Sequence, residues 1–171
     1  MDFQKFNSRA HAEAGARMQV MDPDTREPIE GAFVLVRGVA SPTIQSAQRK
    51  LQLDRMKARK SKVGETPDRI MEDSHNELVD SAIPFIAGFE GVEYEGRKLT
   101  DDDAREFLDW TFPAMGVVKD ANGDPVEIEV KDEKGAIVKV PKFELKNLPF
   151  AKQIADFAGN QANFLQNARK G

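Results

Sequence analysis

Two histidines, His11 and His75, are the only imidazoles in the chain, and there is no cysteine. Thiolate metal sites, disulfides and thiol catalysis are therefore excluded. Each histidine reads most simply as a surface residue on a helix. No G-x-S-x-G, P-loop or G-x-G-x-x-G pattern is present, and nothing in the order of Ser, His and Asp favours a catalytic triad. Asp120-Ala121-Asn122-Gly123-Asp124 opens like a calcium loop. Such a loop needs Gly at its sixth position and a bidentate Glu at its twelfth, where this chain has Pro125 and Lys131. The lysine would set a positive charge against the ion, so the segment reads as a hairpin turn. Asp101, Asp102 and Asp103 could together attract a divalent ion. Acids behind Thr100 are far more often what the first turn of a helix favours. No catalytic residue, metal or cofactor is expected.

Two further patterns concern binding. Residues 49–62 carry Arg49, Lys50, Arg55, Lys57, Arg59, Lys60 and Lys62 against Asp54 alone. They could meet phosphates, but no aromatic residue interleaves them for base stacking. The acids Glu65, Asp68, Glu72, Asp73, Glu77 and Asp80 follow directly, so an antiparallel pair of oppositely charged helices is the favoured reading. Phenylalanine is the second pattern, with 11 residues beside one Trp and one Tyr. Phe85, Phe89, Phe107 and Phe112 fall at helix ends, and Phe150, Phe157 and Phe164 recur at heptad spacing. Core packing should take most of them, and a stripe left outside would suit a partner helix.

The elements that position these residues follow from periodicity and punctuation. Residues 3–14 are Ala-rich and helical, stopped by Gly15. Residues 17–21 alternate, residues 22–28 are dense in turn formers, and Ala32-Phe33-Val34-Leu35-Val36 is β-branched and aromatic, which predicts a hairpin. Ser41-Pro42 and Thr66-Pro67 each open a helix, with the hydroxyl as cap and Pro in the first turn. Ile44, Ala47, Leu51 and Ala58 line one face of the first helix, with Leu53 and Met56 on an adjacent face. Ile70, Met71, Leu78, Val79, Ala82, Ile83 and Ile86 line the second, which Pro84 should end. Residues 87–91 read as a corner and 92–94 as a short extended piece. Thr100 with Asp103 makes a capping-box start for a helix lined by Ala104, Phe107, Leu108 and Thr111 and closed by Pro113. Residues 117–142 alternate about Asn122-Gly123 and a turn at 132–135, the signature of a β-hairpin. Pro149 opens a final amphipathic helix through Phe150, Ile154, Phe157, Ala158 and Leu165, with Gly159 inside it.

The 171 residues fit one domain. Charged residues make up 32% and hydrophobic ones 40%, enough for a modest core under a strongly charged surface. The net charge of −4 argues against a general nucleic-acid binder. Neither a membrane span nor the apolar core of a signal peptide is visible.

The order of these pieces resembles the tail assembly chaperones of long-tailed bacteriophages. The resemblance lies in the opening Met1-Asp2-Phe3-Gln4-Lys5-Phe6-Asn7-Ser8-Arg9-Ala10 leading to Gly15 and a short hairpin through Asp22-Pro23-Asp24-Thr25. It continues in the helix around Ser46-Ala47-Gln48-Arg49, in Ile86-Ala87-Gly88-Phe89-Glu90-Gly91-Val92 with Tyr94-Glu95-Gly96, and in Leu148-Pro149-Phe150-Ala151-Lys152-Gln153-Ile154 followed by Asn163-Phe164-Leu165. Residues 117–142 look like an insertion relative to shorter members. The resemblance implies a non-enzymatic protein of the infected host's cytoplasm, absent from the mature virion. It implies the tape measure protein and the tail tube protein as partners, with homo-oligomers allowed and neither membrane nor nucleic acid favoured.

The expected architecture is α+β and mainly helical: four or five helices, an N-terminal β-hairpin and a second β-hairpin near residues 117–140. The expected organisation is a single domain over 1–171 with a helical core at 41–113 and the insertion at 117–142. Partner binding is expected from the stripe of Phe150, Ile154, Phe157, Phe164 and Leu165. The alternative function is a structural tail or head-tail connector protein of the virion, and a third reading has residues 49–62 contacting nucleic acid.

Overall fold

A computed structural model describes residues 8–58, 67–131 and 135–165. The first hairpin forms where its sequence predicts. Strand β1 (Ala16–Met21) pairs antiparallel with β2 (Pro28–Val36), Met18 facing Val34 and Ala16 facing Val36. The connecting turn is built on Asp22, whose Oδ1 accepts the N–H groups of Asp24 and Thr25 at 2.9 and 2.8 Å, an Asx turn. Before β1, helix α1 (Ser8–Ala14) stops at Gly15, which takes φ +82° where a side chain would be strained.

The expected corner at 87–91 is instead a strand. Helix α2 (Pro42–Ala58) and helix α3 (Pro67–Ala82) start at their prolines, and Ser41 Oγ accepts the Ile44 N–H at 3.3 Å as the α2 cap. Pro84 ends α3 in a 3-10 turn over Ile83–Phe85, from which β3 (Ile86–Glu90) runs antiparallel along the free side of β2. Gly88 and Gly91 suggest a bend from local sequence, but the unpaired edge of β2 offers hydrogen bonds that an isolated segment cannot find. Beyond Gly91, β4 (Glu93–Tyr94) and β5 (Arg97–Lys98) form a minimal hairpin. Its central residues Glu95 and Gly96 both have positive φ, the geometry of a type I′ turn.

One face of the three-stranded sheet carries Ala16, Met18, Val34, Val36 and Ile86, all buried. Helix α5 (Phe150–Gly159) packs directly on it, and α3 and the short α4 (Ala104–Asp109) pack against α5 to complete the core. Phe107 lies at their meeting point, stacked on Phe150 with ring centroids 4.5 Å apart and edge-on to Phe89 at 5.0 Å. On the opposite face Arg17 lies over the Phe33 ring at 3.4 Å and pairs with Glu90 at 2.6 Å, so a charged residue there shields an aromatic one.

The chain leaves the body after α4 and returns to it at α5. Between them, β6 (Met115–Val117) pairs with β9 (Phe143–Leu145), and β7 (Glu127–Lys131) pairs with β8 (Ile137–Pro141). Together they make a two-stranded ribbon with a small excursion over residues 118–126. After α5 the helix breaks at Asn160, whose side chain caps the Ala162 N–H at 3.1 Å, and α6 (Ala162–Leu165) follows. Gly159 thus ends the helix rather than lying within it.

The balance is 41% helix and 30% strand, with six helices and nine strands among the described residues. The mainly helical expectation is therefore wrong. The fold is mixed α+β, its core rests on a sheet, and β3 lies within the segment read as a helical core. Phe107 is 1% exposed, and truncating a buried Phe leaves a cavity that neighbours fill only in part. Phe107→Ala should lower unfolding free energy by about 3–5 kcal/mol in urea titration, whereas Phe112→Ala, at a 47% exposed position, should cost far less.

Candidate functional site

The stripe expected to bind a partner faces inward. Ile154 is fully buried, and Phe150 and Phe164 nearly so. Phe157 packs against the core and lies edge-on to Phe164. Leu165 ends α6, its side chain outside those described. The heptad-like spacing is real, but it serves the interior: Phe150 stacks on Phe107 of α4, and Phe164 of α6 lies against Gly38 and Ala12. The same helix holds β1 by a polar clamp that sequence reasoning missed. Gln153 accepts the Met21 N–H at 2.9 Å and donates to Met21 O at 2.8 Å and Leu148 O at 2.9 Å. Its amide thereby acts as a strand partner for the end of β1.

The residues with potential chemistry are structural in their geometry. His75 is buried rather than on the surface. Its Nε2 lies 3.3 Å from Asp109 Oδ1 and its ring lies 4.6 Å from that of Phe112. Arg105 joins Asp109 to Asp80, so the cluster ties α3 to α4. His11 is half-buried on α1. Asp103 accepts Arg97 through both oxygens at 2.8 and 2.9 Å, together with the Thr100 N–H and hydroxyl. The Arg97 hydrogen bonds, then those of Thr100, hold its carboxyl well below the usual carboxylate range. Asp103 is thus committed to its own helix start. Asp120 Oδ1 accepts the N–H groups of Asn122 and Asp124 at 2.8 and 3.0 Å, an Asx turn in place of a calcium loop. Among the described residues no group of three or more His, Asp or Glu is placed to hold a metal, and no helix is long and apolar enough to cross a membrane.

The expected charge pairing of α2 with α3 is met in the described residues by Arg55. It reaches Glu77 Oε2 at 3.8 Å and Glu77 O at 3.4 Å. Arg59, Lys60, Lys62 and Glu65 lie outside the described residues. Leu53 and Met56, next to Arg55 on α2, are 58% and 63% exposed.

Among the described residues, exposed apolar side chains are most numerous on the ribbon and its stem. The register pairs Ile128 with Val140 and Val130 with Val138. Directly opposed residues, and residues two apart on a strand, point to one face. One face of the β7–β8 ribbon therefore carries Ile128, Val130, Val138 and Val140. The other carries Glu127, Glu129, Lys131 and Lys139, with Glu129 opposite Lys139, together with Pro141 and the exposed Ile137 at its ends. None of these residues belongs to the core. On the stem, Met115, Val117 and Phe143 are also exposed.

The ribbon's root is firmly held. The Asn147 side chain accepts the Ala114 N–H at 2.9 Å and donates to Phe112 O at 2.9 Å, and Thr111 Oγ1 accepts the Phe150 N–H at 2.8 Å. The ribbon is thus an amphipathic surface on a fixed base. Comparison of the chain with protein-family models, curated proteins and solved structures finds no match.

One long-range clamp has a pH signature. Glu13 of α1 accepts the Ser41 hydroxyl, the Thr43 hydroxyl at 2.6 Å and the Thr43 N–H at 3.2 Å at the start of α2. The Ser41 and Thr43 hydrogen bonds lower its pKa from the ordinary 4.5. A lowered folded-state pKa means that the clamp is whole above the ordinary value and is lost as pH falls through the folded one. Glu13→Gln should lower the thermal midpoint at pH 7. It should also flatten the loss of midpoint between pH 5 and 3 relative to the unaltered chain, as followed by circular dichroism.

Proposed function

We propose that this chain is a phage tail assembly chaperone. It binds the tape measure protein, shields it, and assists assembly of the tail tube around it without covalent chemistry. The resemblance described above supplies the partner. The observation that carries the reading is the apolar face of Ile128, Val130, Val138 and Val140, which no described element of the body covers.

A long helical chain displays stripes of apolar side chains that aggregate until buried. A narrow β-face can lie on such a stripe, while the Glu and Lys residues on its reverse keep the complex in solution. A face of four side chains gives modest affinity per copy. Many copies along one chain would protect it, and each could be displaced singly as tube subunits arrive. The site is therefore moved from the stripe of α5 to the ribbon.

The competing reading, a structural tail or head-tail connector protein, differs in fate: a chaperone is absent from purified particles, while a connector is found there by mass spectrometry. Co-expression with the tape measure protein should raise its soluble fraction several-fold. Ile128→Thr with Val138→Thr, which keeps β-branched shape but removes apolar surface, should abolish most of that gain while leaving the body folded. An unchanged insoluble fraction with the unaltered chain, or recovery of the chain from purified particles, would overturn the reading.

A further inference from the structure

The ribbon has a second property that its apolar face does not use. In the β7–β8 sheet each strand is bonded on one side only, so each presents a free edge among the described residues. The two edges differ in chemistry. Lys142 donates its N–H inward to Val126 O at 2.7 Å. Alternation then puts the backbone groups of Ile137, Lys139 and Pro141 on the outer edge of β8. Pro141 has no N–H to offer there, and Lys139 would oppose itself in an antiparallel pair with a second copy. A proline and a lysine of this kind guard an edge against pairing.

The β7 edge has no such guard. Its outward backbone groups belong to Glu127, Glu129 and Lys131. The segment Glu127-Ile128-Glu129-Val130-Lys131 is self-complementary when turned antiparallel about Glu129. Glu127 then opposes Lys131 of a second copy, Ile128 opposes Val130, and the same pairs recur on the other side of the two-fold axis. Among the described residues neither Glu127 nor Lys131 makes an ion pair with its own chain. The two central Glu129 residues meet, but each already faces Lys139 across its own ribbon, which offsets the repulsion.

The geometry points to the outer edge of β7 as a dimerisation surface, where two copies of this chain join their ribbons into one four-stranded antiparallel sheet. A two-stranded ribbon is marginal alone in water, and four strands are not. Pairing about Glu129 also sets the rows Val140, Ile128, Val130, Val138 side by side. The apolar faces of both copies merge into one continuous surface of eight side chains, wide enough for a helix about 10 Å across. A closed two-fold arrangement consumes both β7 edges and leaves only the guarded β8 edges outward, so assembly ends at the dimer. This inference does not rest on the tape measure reading.

Charge exchange tests it with the full-length chain. Sedimentation equilibrium should find a dimer for the unaltered protein. Glu127→Lys places two lysines opposite each other at both ends of the joint, and Lys131→Glu places two glutamates there. Each single variant should dimerise at least about tenfold more weakly than the unaltered chain. The double variant, and an equimolar mixture of the two single variants, restore opposite charges at every pair and should dimerise again. Glu129→Gln should tighten the dimer. These side chains are exposed, and circular dichroism should find every variant folded. A monomer at all concentrations for the unaltered chain, or single variants that dimerise as tightly as it does, would overturn the assignment. So would a mixture that stays monomeric while each single variant is folded.

Discussion

A three-stranded sheet with one apolar face must be covered, and the rest of the body follows from that need. Met18, Val34, Val36 and Ile86 leave water only when α5 lies on the sheet with α3 and α4 packed against it. That requirement takes Phe107 and Phe150 into a stack and turns the stripe of α5 inward. It also fixes where the chain must leave and re-enter between α4 and α5. The ribbon grows from that gap, and Asn147 and Thr111 close its base. A rigid root gives the ribbon a defined direction without tying its strands to the core. Burial therefore decides the body and leaves the ribbon to be decided by something else.

The polar clamps divide the remaining work. Glu13 reaches from α1 to the start of α2, Gln153 from α5 to the end of β1, and Arg105 from α4 to Asp80 of α3. Each ties together elements distant in sequence. The ion pairs of Arg105 fix orientation more than they add free energy, because partly exposed charged groups are screened by water, whereas the neutral Gln153 amide is buried. The arrangement suits a small protein with few aliphatic residues and a heavily charged surface.

What could be read from the sequence was what is encoded locally. Ser41-Pro42 caps a helix by itself, the Asx turn at Asp22 needs only its neighbours, and the alternation of β7 and β8 announces a hairpin. Sequence reasoning failed where a distant partner decides. Residues 87–90, flanked and interrupted by glycine, belong to a strand because β2 offers an open edge. The Phe stripe has the right spacing for a helix face, but spacing does not say whether that face meets a partner or the core. His75 is buried because α4 passes beside it. Period-2 alternation put apolar residues on one side of the ribbon, but only the tertiary arrangement reveals that no described element of the body covers that side. The candidate site was thus legible as a pattern and illegible as a surface.

Body and ribbon are separate: one is held by its own core, the other displayed for other chains. Val118 donates its N–H to Lys142 O at 2.9 Å at the end of the stem, a hydrogen-bonded pair on which a two-residue turn can close, so Asn-Gly can replace residues 119–141 without disturbing the root. Differential scanning calorimetry of that shortened chain is the most direct measurement. The account predicts a single cooperative transition within a few degrees of that of the full-length protein. Loss of the transition, or a collapse of its midpoint, would contradict it by making the ribbon part of what holds the body together.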